Sequence, residues 1–245
     1  MISEKLLQRL SHASGIAILT GAGISAESGV PTFRGKDGLW NSHKVEELAT
    51  VSALNANPEL FWKFYSWRRQ KLEGVQPNLG HYALVDMERI IRGFALLTQN
   101  VDNLHRRAGS KKLIELHGNI TRDRCTKCGQ RYPADTGEFK IVPTCTKCDG
   151  LLRPDIVLFG ENIEEKFIQA AQKASAACEV FFAVGTSSIV EPAASLPYLA
   201  KANGAYVVEV NTEETALTSH VNEVYQKSST EFLPQLAIAI EKMFS

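Results

Sequence analysis

Short apolar runs punctuate the chain, each closed by glycine or small polar residues. They are 16–23 (IAILTGAG), 93–100 (GFALLTQN), 113–119 (LIELHGN), 155–162 (DIVLFGEN), 179–187 (EVFFAVGTS) and 205–213 (AYVVEVNTE). Runs of this length, rich in Val, Ile, Leu and Phe and alternating with helical patterns such as 163–177 and 192–203, predict parallel strands covered on both faces. The fold class expected is therefore α/β, a doubly wound Rossmann-like sheet. The first residues, MISEKLLQRLSHAS, predict an amphipathic helix. Two stretches break the rhythm: 34–73 carries only helical patterns, and 120–153 holds paired cysteines between two strand candidates. Residues 1–33, 74–119 and 154–245 are thus expected to build the sheet domain. A helical insert (34–73) and a zinc-ribbon insert (120–153) would form a small lobe, with a cleft between lobe and sheet as the natural site.

One helix carries an anomaly. Asn57 reads as its N-cap, Pro58 as its first position and Gly74 as its stop. At about 100° per residue, Phe61, Phe64, Tyr65 and Leu72 share one face, and Arg68 falls in its centre. A guanidinium keeps its charge and is rarely buried alone. Periodicity leaves its partner open: an aromatic ring, a protein carboxylate or an anionic ligand.

Composition narrows the classes. Lys+Arg and Asp+Glu both number 27, so no global charge draws the chain to nucleic acid or membrane. No apolar run approaches the ~20 residues of a membrane span. The N-terminus lacks a signal-peptide pattern, so a cytoplasmic protein is expected, and its five cysteines are not expected to form disulfides. Cys125-x-x-Cys128 and Cys145-x-x-Cys148, with 16 residues between the pairs, match the four-thiolate zinc pattern. Four thiolates leave no position for water, which makes such an ion structural. Cys178 is expected to be simply buried.

Gly21-Ala22-Gly23-Ile24-Ser25-Ala26 fits G-x-G-x-x-G/A between a strand and a helix start, a phosphate-binding turn or only a glycine turn. A hydride-transfer dehydrogenase would next show a second strand and an acidic residue. Here Val30-Pro31-Thr32-Phe33-Arg34-Gly35 follows as a loop, so the ribose must be met elsewhere. Gly185-Thr186-Ser187 and Asn211-Thr212-Glu213 end later strands, at the edge where open α/β sheets bind ligands. Gln99-Asn100-Val101-Asp102, His117-Gly118-Asn119 and Phe159-Gly160-Glu161 also follow strand candidates. Among them His117 has the side chain suited to a general base near neutrality.

The set GAGIS-x-x-SG-x-P-x-FRG, TQN-x-D-x-LH, LHG, two CxxC pairs, FGE, GTS and N-x-E resembles the sirtuin family of NAD-dependent protein deacylases, in the family's order over about residues 14–215. The resemblance implies that NAD is consumed as co-substrate. The acyl-lysine oxygen attacks C1′ of the nicotinamide ribose, nicotinamide leaves, and His117 acts as general base. Free lysine and O-acyl-ADP-ribose are the final products. It implies Asn100 and Asp102 at the nicotinamide pocket, with Gln99 and Ser25 supporting the ribose. Phe33 and Arg34 would lie on a loop closing over the cofactor, with Trp40 among its contacts. Gly21, Ala22, Gly23, Ile24, Gly185, Thr186, Ser187, Asn211, Thr212 and Glu213 would hold the diphosphate and adenosine. An acylated-lysine peptide would pair as a strand between 157–161, using Val157, Phe159, Gly160 and Glu161, and 187–191. One structural zinc is implied on the four cysteines, nicotinamide as product and inhibitor, a monomer, and no nucleic-acid or membrane partner. Tyr65-x-x-Arg68 resembles the signature of the subgroup removing succinyl and malonyl groups alongside acetyl. A zinc-ribbon nucleic-acid module is disfavoured by the charge balance. An NAD-dependent mono-ADP-ribosyltransferase stays as the alternative, separable by its product.

Overall fold

A computed structural model describes residues 1–32, 44–134 and 142–244. An amphipathic helix, α1 (Glu4–His12), is capped by Ser3, whose hydroxyl accepts from the Leu6 amide. It leads into β1 (Gly15–Thr20), the centre of a parallel six-stranded sheet. β2 (Gly93–Thr98) and β3 (Leu113–Glu115) extend the sheet on one side of β1, while β7 (Val180–Val184), β8 (Tyr206–Asn211) and β9 (Glu223–Gln226) extend it on the other. Alternate residues of β1 serve two cores. Ile16 and Ile18 pack with Leu84, Phe232 and Leu236 on one face, and Ala17 and Leu19 pack with Phe181, Leu196 and Ala200 on the other. The helices responsible are α6 (Leu79–Ile90) and α10 (Ser229–Phe244) on the first face, α8 (Glu165–Ala177) and α9 (Leu196–Ala202) on the second. Strand order reverses between β1 and β7, so a crevice must open beyond their carboxyl ends.

A second, antiparallel sheet has the order β5–β4–β6, with β4 at Gly118–Cys125, β5 at Arg131–Pro133 and β6 at Leu152–Ile156. The run at 155–162 was expected to join the parallel sheet. Instead the strand lies at 152–156 and pairs with β4, because its buried side chains include Arg153 and Asp155, which need ion-pair partners that an apolar sheet interior lacks. The edges expected for the zinc insert, after residues 119 and 153, fall inside β4 and β6.

Three helices, α3 (Val45–Leu48), α4 (Val51–Ala56) and α5 (Pro58–Leu72), share a third core with this sheet. Asn57 caps α5 by accepting from the Leu60 amide at 3.0 Å, and Gly74 stops it at φ 76°. Phe61, Phe64 and Tyr65 are buried as their spacing predicts. The fully buried guanidinium of this helix belongs to Arg69, 4% exposed, whereas Arg68 is half-buried.

Candidate active site

The crevice is a cavity of about 910 Å³, lined by the loops after β1, β7 and β8, by residues 156–161 and by α5. Its floor is a contact between two loops. Gly21 N–H donates to Val184 O at 3.0 Å, and Gly23 N–H to Gly185 O at 2.8 Å. A Cβ on Gly21 would lie 2.6 Å from Gly185 O, so glycine is required there for the two strand ends to meet. Ala22 and Gly23 face the cavity, while Ile24 is buried in the core below.

Beneath this floor runs a short chain of polar side chains. Asn100 Nδ2 donates to Gly21 O at 3.0 Å and to Ser25 Oγ at 3.1 Å, and Ser25 Oγ donates to Asp102 Oδ2 at 2.7 Å. Asp102 Oδ1 accepts from the Leu104 amide at 2.9 Å. Burial pushes the Asp102 carboxyl above its ordinary pKa, opposed by these bonds and by the Arg68 charge. Asn100 lines the main cavity, whereas Ser25 and Asp102 do not. Asp102 borders a small void of about 40 Å³ behind it, together with Asn100 and Arg68.

His117 stands at the cavity wall just before β4 and donates from Nδ1 to the Gln99 carbonyl at 3.0 Å. That bond fixes the tautomer with the lone pair on Nε2. Burial lowers the imidazole pKa, and the Gln99 bond opposes this in part. Gln99 also donates from Nε2 to Thr186 Oγ1 at 2.9 Å, and Asn211 Nδ2 donates to Thr186 O at 2.9 Å. Gly185, Thr186, Ser187, Asn211, Thr212 and Glu213 all line the cavity.

The opposite wall is held by β6 and the loop after it. Val157 N–H donates to His117 O and Phe159 N–H to Ala49 O, both at 2.9 Å. Val157, Phe159, Gly160 and Glu161 line the cavity. The Glu161 carboxylate accepts from Arg153 at 2.6 and 2.8 Å and from the Leu158 amide at 2.9 Å. Burial raises its pKa, but these partners hold it below the ordinary value. Its side chain thus ties down its own loop. Tyr65 and Arg68 reach the same cavity from α5. The Arg68 guanidinium carbon stands 5.6 Å from the Tyr65 ring centroid and 5.9 Å from that of Phe64. Burial lowers the Arg68 pKa and raises that of Tyr65, while each partner opposes the shift of the other. Phe33, Arg34 and Trp40 lie outside the described residues.

The far end of the cavity contains residues that the sequence did not single out, among them Glu27, Lys227, Ser228 and Ser229. The Glu27 carboxylate accepts from the Thr230 amide at 3.2 Å, at the start of α10. The only signal available was the polar string KSST before an apolar helix.

The four expected cysteines converge in the small lobe. The Sγ atoms of Cys125, Cys128, Cys145 and Cys148 all lie within 4.8 Å of one another. The Cys125–Cys148 and Cys128–Cys145 pairs are 3.5 and 3.7 Å apart, close to the ~3.8 Å edge of a tetrahedron with Zn–S bonds of about 2.3 Å. Amides of Lys127 and Cys128 donate to Cys125 Sγ at 3.3 and 3.4 Å, as zinc knuckles require. Gly129 makes the first turn at φ 71°. In the second, Asp149 takes the positive φ, and a Cβ on Gly150 would lie 2.8 Å from Cys125 Sγ. The donor set fits one structural zinc. Cys178 is buried, and burial pushes its thiol up to about 11.

These features define a class: a doubly wound α/β protein with its ligand cavity at the switch point and a four-cysteine lobe forming the other wall. The Sir2 family model matches residues 21–192. An NAD-dependent protein deacylase of Aquifex aeolicus (strain VF5) is 55% identical over 217 residues, 88% of this chain and 91% of that protein. A crystal structure of a Sir2 homologue–NAD complex superposes with a TM-score of 0.94 at 41% identity, covering 100% of this chain and 96% of that one. A Sir2–p53 peptide–NAD+ structure gives 0.85 at 32% identity, covering both chains fully. The chain belongs to the Sir2 family. Among the described residues, no helix is long and apolar enough to cross a membrane.

Proposed function

We propose that the protein is an NAD-dependent protein-lysine deacylase that removes acetyl groups and acyl groups ending in a carboxylate. The observation that carries this reading is the placement of His117. It is a half-buried imidazole with Nδ1 committed to Gln99, in one cavity with the glycine loop, Asn100 and the Tyr65–Arg68 pair. NAD as co-substrate supplies an activated glycosidic carbon, to which the acyl oxygen bonds as nicotinamide departs with the bonding pair. Residues of Gly21–Ile24, Gly185–Ser187 and Asn211–Glu213 hold its phosphates and adenosine. Asn100 and Asp102 border the nicotinamide, and Gln99 and Ser25 support the ribose. His117 Nε2 takes the proton of the ribose hydroxyl that closes on the acyl carbon. We keep Phe33, Arg34 and Trp40 among the cofactor-binding residues, with Phe33 assigned to shield the reactive sugar from water. The peptide pairs as a strand between 157–161 and 187–191.

On this reading the small lobe (34–73 and 120–153) is held by its zinc and shapes the acyl end, while the sheet domain holds NAD. We further infer a cytoplasmic monomer that does not use nucleic acid and is inhibited by its first product, nicotinamide. The test is to incubate the protein with NAD and peptides bearing acetyl-, malonyl- or succinyl-lysine and follow mass. Free lysine with O-acyl-ADP-ribose is expected. ADP-ribosylated peptide in its place would make the protein a mono-ADP-ribosyltransferase and overturn the reading.

A further inference from the structure

Two buried histidines outside the proposed chemistry, His81 and His105, lie with ring centroids 4.8 Å apart. His81 is fixed by Asn78, the N-cap of α6, whose amide lies 3.3 Å from Nδ1. The next helix, α7 (Leu104–Ala108), carries His105, whose Nε2 lies 2.9 Å from Thr20 Oγ1. Thr20 Oγ1 donates to Thr98 Oγ1 at 2.8 Å, and Thr98 Oγ1 accepts from the Asn100 amide at 3.1 Å. Thr20 and Thr98 are register partners at the ends of β1 and β2, and both are buried. His81 Nε2 and His105 Nδ1 are buried without a hydrogen-bond partner. Fully apolar packing would hold these strand ends at lower desolvation cost. Two imidazoles and two hydroxyls here need a further reason.

That reason lies at the end of the chain. Asn100 presents its carboxamide to Gly21 O and Ser25 Oγ, and Asn78 Nδ2 returns to Ile24 O at 2.8 Å. The polar chain thus runs from the glycine loop, under the sheet edge, to the residue that borders the cofactor. We propose that His105, acting through Thr20 and Thr98, is a positioning residue that fixes the Asn100 backbone, and with it the carboxamide, for cleavage of the nicotinamide bond. The imidazole orients the Thr20 hydroxyl, which orients that of Thr98, and so holds the Asn100 amide in one direction. This rests on the proposed deacylase reading.

The test uses Thr20→Val and Thr98→Val, near-isosteric changes that remove one hydroxyl each, beside His105→Leu and His105→Gln. Two quantities are read: exchange of labelled nicotinamide into NAD, and amide hydrogen exchange at Asn100, which does not require turnover. Each valine variant is expected to slow nicotinamide exchange by roughly 3–10-fold, the value of one oriented hydrogen bond, with KM for the acyl peptide unchanged. Asn100 amide protection should fall in Thr20→Val as well as in Thr98→Val. His105→Gln, which keeps a donor, should recover part of what His105→Leu loses. If Thr20→Val leaves Asn100 protection and nicotinamide exchange within twofold of the parent, the relay is wrong. Equal losses in exchange, peptide KM and thermal stability would make these residues structural and overturn it too. An inactive parent with the expected protection pattern would instead count against the deacylase reading.

Discussion

Arg69 and Asp123 form a buried ion pair between α5 and β4, with Nη2 2.5 Å from Oδ1 and both side chains under 5% exposed. Arg69 Nε also donates to Ile120 O at 2.9 Å, and the guanidinium lies 5.3 Å from the Trp62 ring centroid. The pair pins the helix that carries Tyr65 and Arg68 to the sheet that carries the cysteines.

Removing one partner strands the other charge in a low-dielectric site. Arg69→Met should therefore cost about 3–5 kcal/mol, or roughly ten degrees of Tm at about 2–4 °C per kcal/mol. Arg69→Met with Asp123→Leu should recover part of that loss, since the buried carboxylate that faced Arg69 is gone too. Thermal unfolding of the single and double variants decides it. A single variant as stable as the parent would refute the coupling.

Zinc should be worth more than any one side chain. Cys125 and Cys145 are buried in the same cluster as Trp62 and Tyr65, so loss of the metal should loosen that core and reach the acyl end of the cavity. About one zinc per chain is expected by elemental analysis, and Cys125→Ser should lower folded yield and Tm. A metal-free variant lacking all four thiols, yet as stable and active as the parent, would sink the assignment.

How much of this was legible in the sequence follows from which interactions are local. β1, β2, β7 and β8 announced themselves because both of their faces are covered. β9 did not, because it is a polar edge strand with alternating exposure. The helix period put Arg68 at the centre of the apolar face of α5, yet the fully buried guanidinium is its neighbour Arg69. The choice is made by Asp123, 54 residues away. Ser228 and Ser229 reach the cavity beside the capping of α10 by Glu27, a contact spanning 203 residues that no local pattern encodes. The cysteine pairs were legible because metal geometry dictates their spacing.

His117→Ala should lose deacylation by about 10²–10⁴-fold while NAD still binds, because the imidazole acts after the cofactor docks. Retention of more than about a tenth of turnover would exclude the general-base role. The pH profile carries a further check. A base works in its neutral form, and burial lowers the His117 pKa below its ordinary 6.5. Turnover should therefore be flat across neutrality and fall only on the acid side of that value. An acid limb centred above pH 7 would contradict the placement.

Arg68 tests the acyl preference. Its guanidinium lines the main cavity together with the Tyr65 side chain. A succinyl or malonyl chain ends in a carboxylate, which a planar guanidinium binds through two parallel hydrogen bonds, with the phenol adding a third. An acetyl group offers no such partner. It should occupy the same cavity without engaging Arg68. Arg68→Met should therefore cut desuccinylation by roughly 10–100-fold, the cost of leaving a charged group unmatched, and leave deacetylation near the parent level. Tyr65→Phe should produce a smaller loss in the same direction, because the guanidinium remains. Arg68 also stacks against Phe64 and Tyr65, so its loss could act through packing alone. Packing does not distinguish acyl groups by charge. Equal losses on acetyl- and succinyl-lysine would make Arg68 a structural residue of α5 and remove the case for an anionic substrate.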